Sequence, residues 1–209
     1  PILFSAPMVR ALLAGTKTQT RRAIKPQPDD NFYPIDVGLY HPLRIGRDGE
    51  ERPMPERFGA YDDQDDYPCP YGKPGDTLWV REAWGLMGLG GLSSRPTPLF
   101  KPGLVFAADS PEMPLRWRPS IHMPRWASRI TLRVTSVRVE RVQDITEDDA
   151  RDDGVCSTVH FDEAVSTAAA MGTGDVCRHA FRLLWVSING AESWEANPWV
   201  WVVGFEVTP

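Results

Sequence analysis

A chain of 209 residues can bury one sizeable apolar core and needs no more than one domain. Its net charge of -5 argues against a protein that wraps long stretches of nucleic-acid backbone, and three cysteines, an odd number at wide spacing, argue against a disulfide framework and fit a reducing compartment. With no apolar run of about 18 residues, and with no basic and apolar leader at Pro1 to Pro7, the expectation is a cytoplasmic protein with no membrane partner.

The first predicted element is a short helix. Ser5 suits its N-cap and Pro7 its first turn, Met8 and Leu12 fall one turn apart, and Gly15 suits the left-handed position past its end. From about Lys25 to Tyr71, and again from about Gly85 to Pro114, the chain is rich in proline, glycine and acid without sustained periodicity, which reads as two long loop insertions, at about 26–71 and 85–114. Between them, Gly72-Lys73-Pro74-Gly75-Asp76 signals a turn that leads into an alternating strand, Thr77 to Glu82. A second strand begins at Arg129: Ile130, Leu132 and Val134 share a face, and then the apolar phase slips to Val137 and Val139, which implies a bulge. Thr146-Glu147-Asp148-Asp149 resembles a capping box for a short acidic helix that Gly154 stops. A longer helix follows, capped by Thr173 or Asp175, with Val176, Ala180, Leu183, Leu184 and Ser187 on one face and Gly190 at its end. The last strand, Trp199 to Val207, is apolar on both faces at its start, as for a strand buried between a core and a covering element, and is expected to close the sheet. The fold class is α+β, mostly β: a small, bent antiparallel sheet or barrel with a few packed helices.

Charge is blocked along the chain. Residues 10–47 carry seven Lys or Arg against three acids and residues 115–142 seven Arg against one Glu, while residues 48–66 and 143–163 carry eight acids each against two Arg and one. The pattern fits a basic cleft with acidic flanks as well as a surface that neutralises itself. Cys156, His160, Cys177 and His179 match no common zinc spacing and read as buried thiols and surface imidazoles, and the run Asp62-Asp63-Gln64-Asp65-Asp66 lacks the glycine and distal glutamate of a calcium loop. No metal or other cofactor is expected.

The chemistry concentrates after Gly15, in Thr16-Lys17-Thr18-Gln19-Thr20-Arg21-Arg22. Arg21 and Arg22, with partial burial, would oppose protonation of Lys17 and make it a general base, with Thr20 as candidate nucleophile. Equally, the segment reads as a phosphate-binding or solvated basic strand. In a regular strand Lys17 and Thr20 would face opposite ways, so the catalytic reading requires a turn or bulge after Gly15. Among eight tryptophans, Trp84 and Trp117, beside irregular stretches, are the better candidates for stacking a base; Trp79 and Trp126 read more readily as packing residues, and His122 reads as a base-edge donor or a structural histidine.

Gly15 to Arg22, followed by Pro74-Gly75-Asp76-Thr77-Leu78-Trp79-Val80-Arg81-Glu82, resembles the ASCH domain family, and Arg118 to Arg129 with Asn197-Pro198-Trp199-Val200-Trp201-Val202 is similar to its larger, phage- or prophage-type members. With Asp144 to Gly154 and Phe181 to Asn189, these motifs span most of the chain outside 26–68 and 85–115. The resemblance implies a PUA-like (ASCH) small β-barrel whose cleft is, in some members, the active site of an amidohydrolase that removes the acyl group from the exocyclic amine of N4-acetylcytidine. It carries the Gly-x-Lys-x-x-Thr pattern onto Lys17 and Thr20, and the assisting carboxylate onto Asp153, where the family has a glutamate; Asp152 or Glu82 are the alternatives. On that reading Arg21, or a backbone amide after Gly15, stabilises the oxyanion, and the candidate substrate-binding residues are Arg21, Arg22, Glu82, Trp84, Trp117 and His122. The expected ligand is a nucleoside or nucleobase. A non-catalytic reader of RNA, single-stranded nucleic acid or a modified base is the alternative, and a ribonuclease ranks below it.

Overall fold

The computed structural model describes residues 1–29, 31–34, 36–62, 65–87, 103–109, 116–158, 160–171 and 174–208. Twelve strands and four α-helices follow one another among them: β1 (Ile2–Leu3), α1 (Ala6–Leu13), β2 (Gln19–Ala23), β3 (Asp36–Tyr40), β4 (Leu43–Ile45), β5 (Glu51–Pro53), β6 (Arg57–Tyr61), β7 (Asp66–Pro68), β8 (Thr77–Arg81), β9 (Trp84–Met87), β10 (Gly103–Phe106), β11 (Thr131–Arg141), α2 (Glu147–Asp152), α3 (His160–Met171), α4 (Val176–Asn189) and β12 (Trp199–Thr208). The class is mixed α and β with strands in several sheets and few helices. None of the described helices is long and apolar enough to cross a membrane.

The central sheet runs in the order β1-β8-β11-β12-β2, antiparallel except for the parallel β1–β8 pair. The expected slip is real: the β11–β12 register shifts between Val134 and Ser136, opposite Gly204, where a Cβ would lie 2.3 Å from the Ser136 hydroxyl. β12 is buried on both faces because its alternate side chains enter two cores. Trp199, Trp201, Val203 and Phe205 join α1 and the sheet strands, while Val200 and Val202 face Ala150, Ala164, Ala180 and Phe181 of the helical layer.

β12 does not close the sheet, contrary to the sequence expectation. It lies between β11 and β2, so the edges are β1 and β2, and among the described residues no ladder joins them into a barrel. Instead a side chain crosses the gap: Arg22 Nη2 donates to the Leu3 carbonyl at 2.6 Å. This seam, with α1 joining its two edges, positions the candidate site.

The two presumed loop insertions also need correction. Residues 26–71 hold five strands, in the three-stranded sheet β3-β6-β7 and the hairpin β4-β5. Strands of three to five residues are too short for an alternation pattern to register, and a core contact anchors them: Phe32 packs edge-on against Tyr67 and Trp199, with ring centroids 4.9 and 5.7 Å apart. Within 85–114 the described parts of β9 and β10 pair antiparallel, and the remainder lies outside the described residues. Helix α3 had no counterpart in the sequence reading. The inward face of α4 is Cys177, Ala180, Phe181 and Trp185, a rotation of the expected stripe that leaves Ser187 outside. Asp175 makes no side-chain cap; the Glu147 carboxylate caps the helix, accepting from the Cys177 and Arg178 amides at 2.8 Å each. Thr173 lies outside the described residues.

Candidate active site

The catalytic reading depends on the chain bending before β2, and it does. Gly15 adopts φ +72°, ending α1, and the Thr16 and Lys17 amides both donate to the Ala11 carbonyl. The Thr18 amide is taken by the Asp152 carbonyl, at the end of α2, and regular pairing with β12 begins only at Gln19. Lys17 therefore sits outside the strand alternation that governs Thr20, and the two side chains line the same cavity, of about 150 Å3, at the open seam. Arg21, Arg22 and Asp153 line it too, as do Ser5, Phe4 and Trp185.

Lys17 is only 3% exposed. Its Nζ donates to the Gln19 carbonyl at 2.8 Å and to the Asp153 carbonyl at 2.7 Å, lies 3.6 Å from Asp153 Oδ1, and stands 5.3 Å from the centre of the Phe4 ring. Burial lowers its pKa to about 8; the Asp153 carboxylate works the other way, and Arg22 and Arg21 add to the depression. An sp3 amine holding two carbonyls keeps one further position, which is an N–H when charged and a lone pair when neutral. With a pKa near 8, about a tenth of the molecules carry the neutral amine at pH 7. The Thr20 side chain is buried on the cavity wall and its hydroxyl has no hydrogen-bond partner among the described residues.

Asp153 is presented by the stop of α2. Thr146 caps that helix, its hydroxyl accepting from the Asp149 amide, and Gly154 ends it at φ +78°. Burial pushes the Asp153 carboxyl up, and Lys17 and Arg21 oppose that. Arg21 is held fully: Nη1 donates to Asp153 Oδ2, Nε and Nη2 to Glu140 Oε1 at 2.9 and 2.5 Å, and Nη2 lies 3.3 Å from Asp149. Arg138 continues the network to Glu140 and Asp149 at 3.1 and 2.7 Å. Around this site the basic and acidic blocks neutralise one another.

The oxyanion assignment changes accordingly. Arg21 spends its donors on three carboxylates, and the amides of Gly15, Thr16, Lys17 and Thr18 all have carbonyl partners. Arg22 is the cation with capacity to spare: among the described residues its one hydrogen bond goes to Leu3, and burial lowers its pKa.

The other sequence candidates are elsewhere. Glu82, 1% exposed, is bound by Arg129 at 2.9 and 3.1 Å and does not line the cavity; burial raises its pKa. Trp84 is a core residue, edge-on to Trp126 and beneath Arg118. Trp117 packs by Gly85, and His122 is exposed in the 3-10 turn Ser120–His122. Asp152 is exposed, contributing its carbonyl rather than its carboxylate. Trp84 and Trp117 lie off the site because the cavity rings come from α4 and the start of the chain: Phe4, Phe181 and Trp185. Ser5 was legible only as a cap, yet its side chain makes no cap hydrogen bond and lines the cavity. Cys156 and Cys177 face each other with sulfurs 3.3 Å apart, and among the described residues no cluster of three or more His, Cys, Asp or Glu could hold a metal ion.

Comparison with family models, with curated proteins and with solved structures finds no match.

Proposed function

We propose that this cavity hydrolyses the amide that links an acyl group to the exocyclic amine of a cytosine base or nucleoside, and that the chain is an ASCH-type, PUA-like domain whose barrel is left open at the β1–β2 seam. The observation that carries the reading is the meeting of Lys17 and Thr20 on one cavity wall, the amine brought to a pKa of about 8 by burial and the hydroxyl free of hydrogen-bond partners among the described residues. Neutral Lys17 takes the proton of Thr20 as its oxygen attacks the amide carbonyl carbon. Arg22 faces the negative oxygen of the tetrahedral intermediate. Collapse breaks the carbon–nitrogen bond, Lys17 returns the proton to the departing amine, and an ester remains on Thr20. Water, giving a proton to Lys17, attacks that ester and releases the carboxylic acid while Thr20 recovers its proton. Asp153 holds the lysine throughout, through its carbonyl and its carboxylate.

A second reading, a non-catalytic reader of a nucleobase in RNA or single-stranded nucleic acid, is favoured by one feature: the Lys17 amine bonds to two carbonyls and not to Thr20. The two separate in one assay. N4-acetylcytosine and N4-acetylcytidine are incubated with the protein, with and without chelator, and loss of the amide absorbance is followed. The hydrolase reading requires turnover that falls at least a hundredfold in Thr20→Ala and in Lys17→Met, both checked for folding by circular dichroism. Binding without turnover supports the reader.

A further inference from the structure

A second cavity, of about 580 Å3, adjoins the first, and Arg22, Ala23 and Asn189 line both. Its remaining wall comes from the chain after β2, from β7 and its exit, and from β12, including Lys25, Asp66, Tyr67, Tyr71 and Trp201. The first cavity is well below the roughly 300–1,000 Å3 usual for small-molecule sites, so it holds part of a ligand; the second lies within that range. Their shared wall includes Arg22, whose side chain makes one hydrogen bond among the described residues and so keeps donors to spare.

Resting on the proposed amidohydrolase reading, we propose that the second cavity receives the sugar and phosphate of the substrate, so that the protein acts on a phosphorylated ribonucleoside in preference to a free base. The chemistry of the wall matches the parts. Lys25 supplies the cation for a phosphate, Arg22 being committed to the oxyanion in the first cavity. Asp66, whose Oδ2 accepts from the Tyr40 hydroxyl at 2.7 Å, has its other oxygen to accept a ribose hydroxyl. Tyr67 and Tyr71 give the aromatic surface on which a sugar lies. The same phosphate chemistry is offered by a mononucleotide and by a strand.

The test compares kcat/KM for N4-acetylcytosine, N4-acetylcytidine, its 5′-monophosphate and a short oligonucleotide carrying one N4-acetylcytidine, alongside calorimetric binding of cytidine and cytidine 5′-monophosphate. A preference of about tenfold or more for the phosphorylated compounds over N4-acetylcytidine, reduced toward unity in Lys25→Ala, is expected. The oligonucleotide outrunning the monophosphate identifies the strand as the source, and equal rates identify the mononucleotide. Hydrolysis of all compounds at one rate, insensitive to Lys25→Ala, overturns the inference and leaves the hydrolase reading intact. Tight binding of cytidine 5′-monophosphate over cytidine, lost in Lys25→Ala but without hydrolysis of any compound, overturns the hydrolase reading and leaves the phosphate subsite standing.

Discussion

The Asp153 carbonyl accepts a 2.7 Å hydrogen bond from Lys17 Nζ, and the residue that lets the chain turn there is Gly154. A Cβ on Gly154 would lie 2.9 Å from Lys17 Cβ and 3.1 Å from Ala11 Cβ, in a backbone conformation that L side chains disfavour by about 1–2 kcal/mol. Overpacking adds about 1–3 kcal/mol. Gly154→Ala is therefore expected to lose about 2–5 kcal/mol in urea unfolding and to lower the hydrolytic rate by displacing Lys17. A stability loss under about 1 kcal/mol would mean that the helix end accommodates a methyl group and that Lys17 is not fixed by it.

Arg21 and Arg138 share acidic partners but not their burial. The Arg21 side chain is fully buried against Asp153, Glu140 and Asp149, while that of Arg138 is 41% exposed. Removing a buried partner strands charges and costs about 3–5 kcal/mol, whereas an exposed pair contributes about 0–1 kcal/mol. Arg21→Met should fall in the first range and Arg138→Met in the second, by denaturant unfolding at pH 7. Equal losses would contradict the claim that Arg21 is a structural clamp rather than a substrate ligand.

How much of this was legible in the sequence differs from residue to residue, for physical reasons. Gly15, Thr146 and Gly154 announce helix ends because caps are local, and the Val134–Ser136 bulge shows in the phase of its own strand. Lys17, Thr20 and Asp153 came from a motif, and only the fold brings them within one cavity. Trp84 looked like a stacking platform because nothing local tells a core indole from an exposed one. The saturation of Arg21, the spare donors of Arg22 and the capping of α4 by Glu147 depend on contacts between residues 19 to 132 positions apart, which no local pattern records. The short strands β3 to β7 escaped for the opposite reason, each giving at most about two repeats of the alternation that would betray it.

Asp149 ties acid stability to the same network. Burial alone would raise its pKa, but the Gln19 amide, Arg21, Arg138 and the Thr146 hydroxyl together hold it down at about 2. A carboxylate with a folded pKa below its unfolded value contributes stability that is present above the unfolded value and is lost as pH falls through the folded one. The window is therefore about pH 4 to 2, and the contribution is on the order of 2 kcal/mol. Unfolding free energies measured across that window should drop more steeply for the native protein than for Asp149→Asn, whose stability lacks this component at every pH. Parallel curves would show that Asp149 is not the carboxylate that titrates there.

The pH dependence of turnover tests Lys17 as the base. Only the neutral amine accepts a proton, so kcat/KM should rise with pH and level off above about 8, the value set chiefly by burial. Asp153 supports the charged form, acting against burial, while its backbone carbonyl rather than its carboxylate makes the shorter contact with Nζ. Asp153→Asn keeps the carbonyl and removes the negative charge. The amine should stay in place while its pKa falls further, moving the rising limb of the profile to lower pH. A structural lysine that never exchanges a proton with substrate gives a profile whose midpoint ignores this substitution. A midpoint unmoved, or moved upward, would remove Lys17 from the proton transfer and leave Thr20 without its base.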